Sequence, residues 1–305
     1  MIKTCLLGIG RTGMVVAEHL LKSNDFELVS IYTKPGSLKV NRKLQDLINT
    51  DSRLVIKDTN LLAAELRHKK IQVAIDFTNP KAAIKNARIL AEQGVQLVIG
   101  TTGFNKIQIN ELKNIAEQNK VGIVYAPNIS VGVNVLLLVV KTIAKLLPHY
   151  DVEISEYHHC HKKDAPSGTA LKLATAINET KEIKQPRFIF GRFGLKMREK
   201  NEIGIHAIRA GGIIGVHKVL FSSNSDEIEV IHRSYSRAAF AEGALKAAEF
   251  IVNHQGFYNI EDILLLGDNH KNRVQDFSNV VSNWWRQIFE RFPGETEGSP
   301  QLIEK

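Results

Sequence analysis

Cysteine is scarce in this sequence. Cys5 and Cys160 are the only two among 305 residues. That is too few for a disulfide framework and suits a reducing compartment. Long apolar runs are missing too. The most apolar stretch, residues 131–140, is interrupted by Lys141 and is too short to span a bilayer. The stretch from Met1 to Gly8 lacks the apolar core and small-residue cleavage site of a secretion signal. A cytoplasmic protein with no membrane span is expected. There is no internal repeat and no Cys-x-x-Cys or His-Glu-x-x-His pattern, so no metal ligand is assigned. Acidic residues fall short of basic ones, 32 against 40, for a formal net charge of +8. Such a surplus either is a solvated surface or attracts small anions. No basic run is interleaved with aromatics, so nucleic acid is not an expected partner.

The first half of the chain alternates short apolar runs with helical patterns. Lys3 to Leu7 is a predicted strand and Met14 to Lys22 a predicted helix. Between them stands Gly8-Ile9-Gly10-Arg11-Thr12-Gly13, which is Gly-x-Gly-x-x-Gly in the strand–turn–helix context of a dinucleotide fingerprint. Gly8, Gly10, Arg11, Thr12 and Gly13 are therefore candidate cofactor contacts; the alternative is an ordinary glycine-rich turn. Leu28 to Tyr32 is the second strand. Its end, Tyr32-Thr33-Lys34, has no carboxylate to hold ribose hydroxyls. Lys34 could neutralise a 2′-phosphate, so Thr33 and Lys34 point to NADPH, with NADH as the alternative. Further strands are predicted at residues 54–57, 73–77, 96–99 and 122–125, with helices over 81–93 and 106–118. This alternation predicts an α/β, Rossmann-like, doubly wound parallel sheet whose ligand lies at the carboxyl ends of the strands.

The most unusual stretch begins as an alternating strand, Val152 to Tyr157, and ends at Pro166-Ser167-Gly168-Thr169. Proline cannot continue a strand, and serine caps a helix start. The free N–H groups of that helix start favour an anion. His158, His159, Cys160, His161, Lys162 and Lys163 crowd the stretch between, offering proton donors and fixed positive charge. On a continuing strand His158 and Cys160 would share one face and His159 and His161 the other, which does not suit a tetrahedral metal site. Nothing else in the sequence supports Cys160 as a nucleophile. Strands are expected at residues 188–190, 203–209, 214–221 and 227–232, and helices over 130–147, 169–179 and 238–253. A second α+β domain with an open mixed sheet follows from this order.

The run Glu156-Tyr157-His158-His159-Cys160-His161-Lys162-Lys163-Asp164-Ala165-Pro166-Ser167-Gly168-Thr169-Ala170 closely resembles the signature of the 4-hydroxy-tetrahydrodipicolinate reductase (dihydrodipicolinate reductase) family. Arg209 to His217 resembles the family's Arg-x-Gly-x-x-x-Gly-x-His element, although Gly212 and Val216 stand where the family has acids. The resemblance spans residues 2–268. It implies an NAD(P)H-dependent reductase of diaminopimelate and lysine biosynthesis, acting on a cyclic dicarboxylate. It implies His158 as the general acid and Lys162 as a catalytic carboxylate clamp. His159, Gly168, Thr169 and Arg237 would bind substrate; Gly100, Thr102, Ala126, Asn128 and Ile129 would bind cofactor. It also implies a homotetramer. The expected division is 1–128, completed by 238–268, for the dinucleotide, and 129–237 for substrate and oligomer contacts. In the remainder, 269–305, Phe277, Val280, Val281, Trp284, Trp285, Ile288, Phe289 and Phe292 recur at helical spacing. That extension predicts an amphipathic helix, docked on the protein itself, on a partner or at a membrane surface, followed by a disordered end. Two rival readings remain: another two-domain NAD(P)-dependent dehydrogenase, or a nucleotide-binding regulator without catalysis.

Overall fold

The computed structural model describes residues 1–183 and 186–266. In chain order these form β1 (Ile2–Leu7), α1 (Arg11–Lys22), β2 (Phe26–Thr33), β3 (Ile56–Asp58), α2 (Leu62–Lys69), β4 (Val73–Asp76), α3 (Pro80–Ala91), β5 (Gln96–Ile99), α4 (Lys106–Asn119) and β6 (Gly122–Tyr125). There follow α5 (Val131–Leu146), β7 (Asp151–His158), α6 (Gly168–Lys181), β8 (Arg187–Phe190), β9 (Glu202–Arg209), β10 (Gly215–Ser222), β11 (Glu227–Ser234), α7 (Ala238–Ile251), β12 (Gly256–Tyr258) and α8 (Ile260–Leu266).

Seven strands make one sheet in the order β12-β6-β5-β4-β1-β2-β3, all paired in parallel. Its central strands are buried on both faces, β4 entirely and β1 over its last four residues. That is why they read as continuous apolar runs rather than as alternations. The flanking helices have local start signals. Asn79 accepts from Ala82 N with Pro80 in the first turn of α3, and Asn105 and Gln108 form a capping box at α4.

The second sheet has the order β11-β10-β7-β9-β8. It is mixed: β7 pairs in parallel with β9 and antiparallel with β10. Along β7 buried residues alternate with more open ones, the mark of a sheet covered on one face. The covered face carries Val152, Ile154, Ile203, Ile205, Val219 and Phe221, which pack with residues of α5 and α6. Helix α7 then returns to α1 and to β4–β6 of the first sheet. Residues Met1–Glu261 are one compact unit holding both sheets; Asp262–Lys305 form another, of which the described part is the end of α8.

One strand boundary differs from the expectation. The third strand runs from Ile56 to Asp58 rather than from residue 54, because Leu44 N and Arg42 O engage Leu54 O and Ile56 N outside the sheet. Helix α2 and strand β12 were not anticipated. β12 is only three residues long and is recruited to the sheet edge by β6, which its own pattern could not reveal. Strand β7 ends at His158, one residue beyond the predicted Tyr157, and the chain then turns: Cys160 N donates to Gly211 O and Lys162 N to His159 O. The apolar helix expected over 277–292 lies outside the described residues.

Candidate active site

The carboxyl ends of β1, β4, β5 and β6 open onto one cavity, lined among others by Gly10, Arg11, Thr12, Gly13, Thr78, Gly100, Thr102 and Ile129. The glycine loop is built for close approach. Gly8 has φ +92°, and a Cβ there would lie 2.5 Å from Phe77 O. A Cβ on Gly13 would lie 1.9 Å from Gly8 O, so helix α1 can start this tightly against β1 only with glycine at both places. A Cβ on Gly10, by contrast, would meet nothing within 4 Å, which leaves open space beside the helix start. Gly10 provides no side-chain cap and the first turn holds no acid. The free N–H groups of that turn therefore suit a pyrophosphate. The residues present fit a dinucleotide.

The loops around this cavity are braced from below by Asp76, which is buried at the end of β4. Its carboxylate accepts from Thr78 N at 2.8 Å, Thr78 Oγ1 at 2.6 Å, Thr101 Oγ1 at 3.2 Å and Asn86 Nδ2 at 2.9 Å. One side chain thus ties the loops after β4 and β5 to α3. In the sequence it stood out only as part of the predicted strand 73–77. A second residue the sequence reading missed is Lys39, whose ammonium donates to Ile9 O at 2.6 Å and so stands against the glycine loop. Lys34 is exposed and Thr33 buried at the end of β2.

Arg11, Thr12, Thr102, Pro127 and Phe240 also line a neighbouring cleft of about 820 Å³, so the two spaces are continuous. On its far wall stand His158, His159, Lys162, Gly168, Thr169 and Arg237. The expected substrate residues are thereby brought together opposite the glycine loop. Ser167 caps α6 by accepting from Ala170 N at 3.2 Å, and a Cβ on Gly168 would meet nothing within 4 Å. The start of α6 is accordingly an open seat for an anion, with the Lys162 ammonium nearby. Lys162 is not free: it donates to Asp164 at 2.8 Å. That contact holds the Asp164 carboxyl below its ordinary value. Among the cofactor candidates, Ala126 is buried and shapes its loop from inside. The Asn128 amide donates to Thr169 Oγ1 at 2.9 Å rather than into the open cavity.

Beneath His158 lies a polar network that the sequence reading quoted without assigning. His158 Nδ1 donates to Glu156 Oε2 at 2.5 Å. Arg209 grips the same carboxylate with two nitrogens, at 2.7 and 2.8 Å, and Ser167 N donates to it at 2.9 Å. Burial pushes the Glu156 carboxyl up, but these donors together outweigh it and hold it below the ordinary range. Burial pushes the His158 imidazole down, against the pull of Glu156. His217 stacks edge-on to His158 with ring centroids 5.3 Å apart, and burial drives it down to about 3. Periodicity could have flagged these residues: Glu156, His158, Arg209 and His217 occupy inward positions where apolar side chains are the norm. Among the described residues no group of three or more His, Cys, Asp or Glu side chains is placed to hold a metal ion.

Two family models match this chain. Residues 2–129 match the dihydrodipicolinate reductase N-terminus and residues 132–264 its C-terminus. The chain belongs to the dihydrodipicolinate reductase family. It is 42% identical to the 4-hydroxy-tetrahydrodipicolinate reductase of Methanococcoides burtonii, over 84% of this chain and 95% of that one. It is 38% identical to the enzyme of the same name from Methanocaldococcus jannaschii, over 88% and 99%. The solved dipicolinate-bound dihydrodipicolinate reductase of Paenisporosarcina sp. TG-14 superposes with a TM-score of 0.72 at 27% identity, covering 87% of this chain and all of that one. An amine dehydrogenase from Mycobacterium smegmatis shares the fold at 13% identity, with a TM-score of 0.60. Like its family, the chain pairs an α/β parallel sheet with a mixed sheet.

Proposed function

We propose that this chain catalyses the nicotinamide-dependent reduction of 4-hydroxy-tetrahydrodipicolinate to tetrahydrodipicolinate, a step of diaminopimelate and lysine biosynthesis. One observation carries the reading: the glycine loop and the His158–Lys162–α6 wall face one continuous cleft, in a chain of the dihydrodipicolinate reductase family. Residues 1–128 with 238–268 hold the dinucleotide; residues 129–237 hold the substrate.

The first turn of α1, with Gly10, Arg11 and Thr12, takes the pyrophosphate. The loops at Gly100–Thr102 and Ala126–Ile129 take the nicotinamide end. Bound there, the dinucleotide supplies the hydride. Lys162 and the Gly168 and Thr169 N–H groups hold one substrate carboxylate, with His159 and Arg237 beside them. Binding at a fixed place converts a bimolecular encounter into a positioned one, which lowers the barrier by several kcal/mol, roughly 7–11 in the best cases. Reduction leaves electron density on the ring, and His158 Nε2 delivers a proton to it. Proton transfer from a positioned acid is typically worth ~10²–10⁴ in rate. Substrate that is a small dicarboxylate suits this cationic wall.

NADPH is the favoured cofactor, because β2 ends without an acid and both Lys34 and Lys39 lie on the stretch that follows it. A homotetramer is favoured by exposed apolar side chains of the second sheet and its loop, among them Phe190, Phe193, Leu195, Met197 and Ile231. The two free thiols fit a cytoplasmic enzyme, and among the described residues no helix is long and apolar enough to cross a membrane. The decisive experiment follows NADPH absorbance with freshly generated 4-hydroxy-tetrahydrodipicolinate. Oxidation that requires the substrate, and falls by at least roughly a hundredfold in His158→Gln, is expected. Cofactor binding without turnover would instead mark a non-catalytic nucleotide-binding protein.

A further inference from the structure

Glu156 occupies a branch point. Its Oε2 accepts from His158 Nδ1 at 2.5 Å, and its Oε1 accepts from Ser167 N at 2.9 Å, at the cap of α6. Arg209 spans both oxygens and also donates to Asp164 O at 2.6 Å. The carboxylate is fully buried, with 0% exposure, so water cannot substitute for any of these donors. We propose that Glu156 is a positioning residue that locks His158 in its Nδ1–H tautomer and, through Ser167, holds the proton donor in register with the anion seat of α6.

An ionised carboxylate only accepts, so the ring nitrogen facing it must carry hydrogen. Neutral His158 then has a bare lone pair on Nε2, the nitrogen left for the cleft. This is the atom that must take up a proton and give it away. A Cβ on residue 215 would sit 3.3 Å from Nε2, so the glycine there keeps that nitrogen uncovered. Without Glu156 the ring could flip or exchange tautomers, and the same loss would release Ser167 N and the start of α6. The electrostatic setting of His158 is shared among several elements. Glu156 lies on its own strand. His159, Lys162 and Asp164 come from the next loop, Arg209 from β9, His217 from β10 and Arg237 from the start of α7.

The proposal rests on His158 as the proton donor, but its first test needs no turnover. In ¹⁵N-histidine spectra of the full chain, assigned with the His158→Gln variant, neutral His158 should show a protonated Nδ1 and a pyridine-type Nε2. Glu156→Gln reverses the instruction. Its amide oxygen is claimed by Arg209 and Ser167 N, which leaves the NH₂ to face Nδ1, so the ring should switch to Nε2–H. The same variant should move the imidazole-linked limb of kcat/KM down by about one pH unit or more. It should lower kcat at least roughly tenfold and weaken dipicolinate binding roughly fivefold. An Nε2–H tautomer in the wild-type chain overturns the proposal. So does a folded Glu156→Gln protein with the wild-type tautomer and pH profile. If that variant does not fold, the wild-type spectrum decides alone. If the wild-type chain shows the expected tautomer yet reduces no substrate, the functional reading fails while the tautomer set by Glu156 stands.

Discussion

Asn128 and Thr169 are joined by a 2.9 Å hydrogen bond from the asparagine amide to the threonine hydroxyl. Asn128 belongs to the loop after β6, on the dinucleotide side; Thr169 belongs to the start of α6, on the substrate side. The same asparagine accepts from Ser130 N at 3.2 Å through Oδ1, and its backbone oxygen accepts from Asn134 Nδ2 at 2.9 Å. The loop and the helix start are thus held at a set distance. Asn128→Ala removes this tie at a cost of about 1 kcal/mol. The expected result is a roughly fivefold rise in KM for both cofactor and substrate, with a smaller change in kcat. Steady-state kinetics with each ligand varied in turn checks it; an effect on cofactor KM alone would show that the bond does not couple the two sides.

The Lys162 ammonium donates to the Asp164 carboxylate at 2.8 Å. A substrate carboxylate would have to compete with that partner or share the ammonium with it. Lys162→Met should therefore lower kcat/KM by about 10²–10³, through both KM and kcat, because binding and orientation are lost together. Asp164→Asn leaves Lys162 in place and removes its competitor. It should tighten dipicolinate binding about twofold to fivefold, as measured by calorimetry.

The cofactor preference should follow Lys34 and Lys39. A charge-assisted contact to a phosphate is worth about 1.5–3 kcal/mol. Lys39→Ala should lower kcat/KM for NADPH roughly tenfold or more. Its value for NADH should change little, provided the glycine loop survives the loss of the bond to Ile9 O. Equal losses with both cofactors would assign Lys39 to loop structure instead. Lys34→Ala should act in the same direction, and a wild-type preference for NADH would refute both expectations.

Acid should unfold this protein earlier than its carboxylates require. His217 is only 4% exposed, and burial depresses it from an ordinary imidazole value of 6.5 to about 3. The unfolded chain binds this proton below pH 6.5, while the folded chain refuses it down to about 3. Stability is therefore complete above the unfolded value and is lost as pH falls through that window, by up to about 1.4 kcal/mol per unit from this group. His158 and His232, also depressed by burial, add in the same direction. Denaturant titrations at several pH values should show the slope beginning near the imidazole range. His217→Gln should flatten it relative to wild type, even if the variant is less stable throughout. An unchanged slope would place the acid sensitivity elsewhere.

Much of this protein is local in origin. The parallel sheet was legible because β1, β4, β5 and β6 are each a short apolar run followed by its own helix signal. The Gly8–Gly13 turn and the Ser167–Gly168–Thr169 start are equally local, since their backbone demands are met by the residues that stand there. The candidate residues facing the cleft followed from the same stretches and from the resemblance they carry. What was not legible comes from pairings far apart in the chain. Arg209 meets Glu156 only because β9 lies beside β7, and His217 meets Ser167 only because β10 lies on the other side. Lys39 reaches Ile9 from a loop with no regular pattern.

The sequence by itself determined the alternation of strands and helices, the two helix starts and the cluster of imidazole and ammonium groups, because each depends on neighbours within a few residues. Only the tertiary structure decided which nitrogen of His158 is engaged, which carboxylate Lys162 engages, and how the two halves share one cleft. Burial and distance set hydrogen-bond partners and protonation, and neither exists until strands remote in sequence lie side by side.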